Sequence, residues 1–145
     1  MKSKSINRYH SFCRSLENLE KSRDKNPADD MVLEATIQRF NLAFDLSWKV
    51  MKDILTESMG ILDFATGSPR DTLQTAFANG IISDDVWLQM LRVRNKLAHD
   101  YDGKIAMAEF DSIINKFYLT FQELRETIDK FYTGTSDFID RFHRP

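Results

Sequence analysis

The stretch DMVLEATIQRFNLAFDLSWKVMKDIL, residues 30–55, constrains the fold more than any other part of the chain. Leu33, Ile37, Phe40, Phe44, Trp48, Met51 and Leu55 recur at spacings of three and four, which aligns them along one side of a helix. Leu42, Leu46, Val50 and Ile54 form a second stripe at the same period. A helix apolar on two sides must be covered on two sides, so this one lies at the centre of the domain or in a subunit interface. Either Asp29 or Asp30 can cap its start.

Other helical patterns supply the cover. From Ile6, the residues Tyr9, Phe12, Cys13, Leu16 and Leu19 keep a helical period that stops at the polar RDKNPADD, which contains Pro27. The segment ESMGILDFATGSP breaks the period with two glycines and ends in Ser68-Pro69-Arg70-Asp71. A serine cap, a proline at the first helical position and an acid in the first turn open a short helix through Leu73, Ala76 and Phe77, which stops at Asn79-Gly80. Ser83, with Asp84 and Asp85, starts a fourth helix carrying Val86, Trp87, Met90, Leu91 and Leu97. After Asp102-Gly103 the last pattern runs Phe110, Ile113, Ile114, Phe117, Phe121, Leu124, Ile128, Phe131, and its aromatic stripe reads as packing. Nothing reads as a strand or a repeat. The expectation is an all-α, up-and-down bundle of about five helices, one domain over residues 1–134 with a short tail over 135–145.

Composition removes several function classes. No apolar run approaches the roughly 18 residues of a membrane span. The opening MKSKSINRYHSF lacks the apolar segment of a secretory signal, and the single Cys13 cannot form an internal disulfide, so a cytoplasmic protein is expected. A net charge of −2 argues against coating nucleic acid by bulk electrostatics; any RNA contact must be local. No pair of His, Cys or carboxylate residues has metal-ligand spacing, so neither a metal nor a cofactor is expected.

The segment MLRVRNKLAHDYDGK ends the fourth helix with two residues that an ordinary helix end does not require, His99 and Tyr101. On a continuous helix Arg94 and His99 stand about 140° apart, and Arg94 and Tyr101 about 20° apart. All three converge only if the helix bends or ends between Asn95 and His99, and Asn95 tolerates such a break. As a structural set, the Arg serves the helix dipole, the His is a satisfied polar group and the Tyr is a turn residue. As a chemical set, they suit RNA phosphodiester cleavage. A histidine can take the 2′-hydroxyl proton or return one to the leaving oxygen, while an arginine braces the phosphate as charge builds.

The octet RNKLAHDY also resembles the Arg-x4-His-x-Tyr pattern of HEPN domains, specifically the HepT-like toxins or nucleotidyltransferase substrate-binding proteins encoded beside a minimal nucleotidyltransferase. RFNLAFDLSWKVMKDIL is similar to the family's second helix, and SPRDTLQTAFANGIISDDVWLQMLRVRN to its middle helix pair, so the resemblance covers about residues 30–103. It implies a homodimer that joins two motifs into one metal-independent endoribonuclease site, with Arg94 and His99 catalytic. It implies that Tyr101 receives AMP from the partner nucleotidyltransferase acting as antitoxin, a negative charge that would repel RNA. Asn95 matches the family's polar residue after the arginine, and Arg92 adds positive potential to the same groove. The alternative is a non-catalytic subunit that holds a substrate or nucleotide for the nucleotidyltransferase; a bare assembly module leaves Arg94, His99 and Tyr101 unexplained.

Other polar residues have simpler readings. Asp45 and Lys49, four apart, are expected to form a surface ion pair, with a place facing the dimer cleft as the alternative; Arg70 is expected to be structural, although resemblance to the family's Pro-Arg position leaves a cleft role open. His10 and His143 read as solvent groups and Cys13 as core.

Overall fold

The computed structural model describes residues 3–61 and 67–131. The expected tail, Gly134 and His143 lie outside the described residues, as do residues 62–66 of the glycine-broken segment between the second and third helices. Five helical rods are present, and no strand occurs among the described residues. They are α1 (Ser3–Glu20), α2 (Asp30–Asp53) with a π-helical turn at Ile54–Ser58, α3 (Pro69–Ala78) and α4 (Val86–Leu97). The fifth rod is α5 (Lys104–Ser112), a second π turn (Ile113–Phe117) and α6 (Tyr118–Phe131).

Cross-helix pairs give the topology. Arg8 meets Asp53 and Ser22 meets Arg39, so α1 and α2 run antiparallel. Tyr9 reaches Asp129, and Arg23 Nε donates to the Ile114 carbonyl, so the last rod is also antiparallel to α1. The α2 rod is central, as its two-sided pattern requires. Phe40 stacks on Phe117, with ring centroids 5.6 Å apart, while Phe44 and Phe121 both approach Trp87 of α4. Phe12, Phe40, Phe44, Phe117 and Phe121 are fully or almost fully buried, so the aromatic stripe of the last rod is core. Burying a large aromatic removes roughly 150–250 Å² from contact with water, so each ring of this cluster adds a large apolar area to the core.

Local signals explain most boundaries. Asp29 caps α2 by accepting from the Met31 amide at 2.9 Å, and Ser68 caps α3 by accepting from the Asp71 amide at 3.1 Å, with Pro69 at the first position. At α4 the helix starts one residue beyond Asp85, and the Asp84 carboxylate rather than Ser83 holds the Val86 amide, at 2.9 Å. The second stripe of α2 is only partly covered. Val50 and Ile54 are buried and Leu46 is half-buried, but Leu42 keeps 52% of its surface exposed.

Candidate functional site

α4 carries its apolar residues Trp87, Met90, Leu91 and Val93 into the core, which leaves Arg92, Asn95 and Lys96 exposed and Arg94 on the flank toward α2. There Arg94 meets Asp45. Its Nε donates to Asp45 Oδ1 at 3.3 Å and its Nη2 to Oδ2 at 3.1 Å, a two-pronged pairing that fixes the plane of the guanidinium. The expected Asp45–Lys49 ion pair is therefore replaced. A bidentate arginine across the helix gap outcompetes a flexible lysine on the same helix, and the Lys49 ammonium lies 5.8 Å from the Trp48 ring centre instead.

The helix does not break at Asn95. It runs unbroken to Leu97, with Ala98 still right-handed (φ −63°, ψ −19°), because Val93 is anchored in the core and Leu97 packs on its edge. The end comes afterwards, where the His99 and Asp100 amides donate back to the Lys96 and Leu97 carbonyls. His99 is exposed, and among the described residues no hydrogen bond or ion pair holds its side chain or links it to Arg94. One protomer thus presents a pinned Arg94 and an unheld His99.

Asp100, which sequence reasoning passed over, builds the turn that follows. Its two carboxylate oxygens accept from the Ile105 and Ala106 amides at 3.0 and 2.7 Å, capping α5 from outside the helix. Asp102 accepts from the Lys104 amide at 3.1 Å. Gly103 adopts φ +77°, a left-handed conformation that side-chain-bearing residues rarely take, and this lets the chain reverse into α5. Within this turn Tyr101 is 92% exposed. It lines an open groove of about 660 Å³ between the start of α2 and the turn, with Leu33, Ile37, Leu97 and Met107 as its apolar floor. Asp30, Glu34, Asp100 and Asp102 border the same groove against Lys104 alone, so it is a poor seat for a phosphate chain.

No group of three or more His, Cys, Asp or Glu side chains could hold a metal ion among the described residues. Nor is any helix among them long and apolar enough to cross a membrane. His10 is half-buried and lines a small cleft with Tyr9, Cys13, Arg14 and Asp129, rather than standing free in solvent. Burial pushes the Cys13 thiol up, in keeping with its place against the core. Arg70 is exposed at the start of α3.

Residues 5–130 match a family model described as nucleotidyltransferase substrate binding protein like. The chain belongs to that family. Within it, 86 residues are 30% identical to a Haemophilus influenzae protein named a probable ribonuclease HepT, over 58% of this chain and 59% of that relative. The chain therefore spans about three-fifths of the length of the curated relative it matches. Membership agrees with the HEPN resemblance of RNKLAHDY and with the all-α bundle.

Sequence reasoning paired Asp45 with the wrong partner and passed over Asp100. Asp45 was visible as a charge between the apolar Phe44 and Leu46, but its partner lies 49 positions away. Asp100 caps amides five and six residues ahead, a spacing that no simple capping template contains.

Proposed function

We propose that this chain is a metal-independent endoribonuclease toxin of the HEPN type, in which two copies join their Arg94 and His99 residues across a dimer interface. The observation that carries the reading is the state of Arg94, a guanidinium pinned by Asp45 on a rigid helix and still 30% exposed at its side chain. A fixed, accessible cation is what a phosphorane-like transition state demands, since charge builds there without time for a side chain to reorganise.

His99 of the second copy supplies the proton transfer. It takes the proton of the ribose 2′-hydroxyl, whose oxygen attacks the adjacent phosphorus; the P–O5′ bond breaks, and the leaving 5′-oxygen takes a proton from water. The products are a 2′,3′-cyclic phosphate and a free 5′-hydroxyl. Arg92 and Asn95, exposed beside the site, contact the bound strand. The exposed Leu42, next to Asp45 on the outer face of α2, suits burial against the second copy. Tyr101, projecting from the turn, is the acceptor for AMP from a partner nucleotidyltransferase acting as antitoxin. The added phosphate sets negative charge next to His99 and excludes RNA.

A second reading rests on the family's own description as nucleotidyltransferase substrate binding protein like: the chain would hold a substrate or nucleotide for a nucleotidyltransferase without cutting RNA. Expression separates the two. The native chain is expected to arrest growth and degrade RNA, His99→Ala to be harmless, and co-expression with a neighbouring nucleotidyltransferase to add the mass of AMP at Tyr101. A harmless native chain that leaves RNA intact and still binds a nucleotidyltransferase or a nucleotide favours the second reading.

A further inference from the structure

Beyond the Arg94–Asp45 pair, the outer face of α2 continues as a cationic track. Asp45, Trp48, Lys49 and Lys52 stand at i, i+3, i+4 and i+7, which places them within about 100° of one another around the helix. The N-terminal end of α1 lies alongside, because the two helices are antiparallel, and it adds Lys4 and Arg8. Trp48, Lys49, Lys52, Lys4 and Arg8 line a groove of about 380 Å³ that also includes Asp53, Thr56 and Glu57 and begins about one helical turn beyond Asp45.

The two acids in this groove are already engaged. Asp53 Oδ1 is held by Arg8 Nη1 at 2.6 Å, and the Glu57 carboxylate accepts from the Ser5 hydroxyl. Lys4, Lys49 and Lys52 form no salt bridge among the described residues, and only Asp53 and Glu57 stand against these three lysines and Arg8, so the groove carries net positive charge in an otherwise acidic chain. Trp48 packs part of its ring on the core and lines the groove with the rest, and the Lys49 ammonium sits over that ring. Cations spaced along a groove beside an aromatic face are the combination that holds a single-stranded nucleic acid, with phosphates on the lysines and a base on the ring.

We infer that this groove is a binding track for single-stranded RNA, leading the strand to Arg94. The inference rests on the ribonuclease reading for what happens at the end of the track, but not for binding itself.

The test uses the His99→Ala protein, so that nothing is cut, and a fluorescently labelled 12-nucleotide oligouridine titrated at several salt concentrations. Lys49→Ala/Lys52→Ala is expected to reduce the slope of log affinity against log salt by about 1.4, the loss of two single-strand phosphate contacts. Trp48→Phe is expected to retain most of the affinity, and Trp48→Leu to weaken it about tenfold without changing the slope. A control pair, Lys21→Ala/Lys25→Ala, exposed at the far end of α1, leaves both unchanged. The inference is overturned if the Lys49/Lys52 pair and the control pair behave alike, if no binding is seen at low salt, or if Lys49→Ala/Lys52→Ala instead dissociates a dimer in sedimentation. If the slope falls as expected while the native protein cuts no RNA, the track stands and the ribonuclease reading fails. If RNA is cut and the slope does not move, the reverse holds.

Discussion

Arg94 and Tyr101 belong to one octet, yet the bundle gives them opposite surroundings. Arg94 sits on a helix whose inner face is locked in the core, is clasped by a carboxylate from α2, and keeps part of its side chain exposed. Tyr101 stands almost wholly exposed on a capped turn and borders a groove in which acids outnumber bases. The difference teaches that a short motif need not be a single site. On the proposed reading the helix supplies a fixed cation for chemistry, and the turn an exposed hydroxyl for modification.

Substitutions can break this division, and the largest effect is expected at the motif itself. Arg94→Ala or His99→Ala should lower RNA cleavage by at least about 10²-fold, whereas Tyr101→Phe should leave it within roughly threefold. Rates on a defined oligonucleotide check this, and equal losses at all three positions would merge the two regions into one. Asp45→Ala should cost less, about 10- to 100-fold in rate, because Arg94 remains but loses its orientation. Its thermal stability should shift by no more than about 1 kcal/mol, since the pair is partly exposed, and Asp45→Glu should recover part of the rate.

The turn should answer in stability rather than in chemistry. Asp100→Ala removes two bonds to the amides of α5 and should cost about 1–2 kcal/mol, measured by denaturant unfolding, while Tyr101→Phe stays within roughly 0.5 kcal/mol. The smallest effect concerns pH. Burial raises the Asp53 carboxyl above its ordinary range, with Arg8 opposing. A raised folded pKa means that the folded state binds this proton more tightly than the unfolded chain does. The stability it contributes is full below the unfolded value of about 4 and is lost as pH rises through the folded one. Asp53→Asn should flatten that part of the stability profile in unfolding midpoints taken from acid to neutral pH.

How much of this was legible in the sequence follows from how local each signal is. The double stripe of α2, the Ser68-Pro69 start and the Asp29 cap are local, and the structure places them where the pattern does. The end of α4 falls inside the window from Asn95 to His99, but at Leu97 rather than at Asn95, because the burial of Val93 carries the helix onward. The partner of Arg94 was invisible because Asp45 had a nearer cation in Lys49, and only the packing of α4 on α2 decides between them. Leu42 remained exposed although its stripe called for cover, which marks the face of α2 where a single chain leaves burial unfinished.

The central claim is that the chain cuts RNA with Arg94 and His99 and without a metal. The most direct measurement incubates the purified protein with single-stranded RNA in excess EDTA and determines the chemistry of the new ends. The account predicts cleavage that leaves a 2′,3′-cyclic phosphate and a 5′-hydroxyl, abolished in His99→Ala. RNA that stays intact, or cleavage that survives His99→Ala, would contradict it.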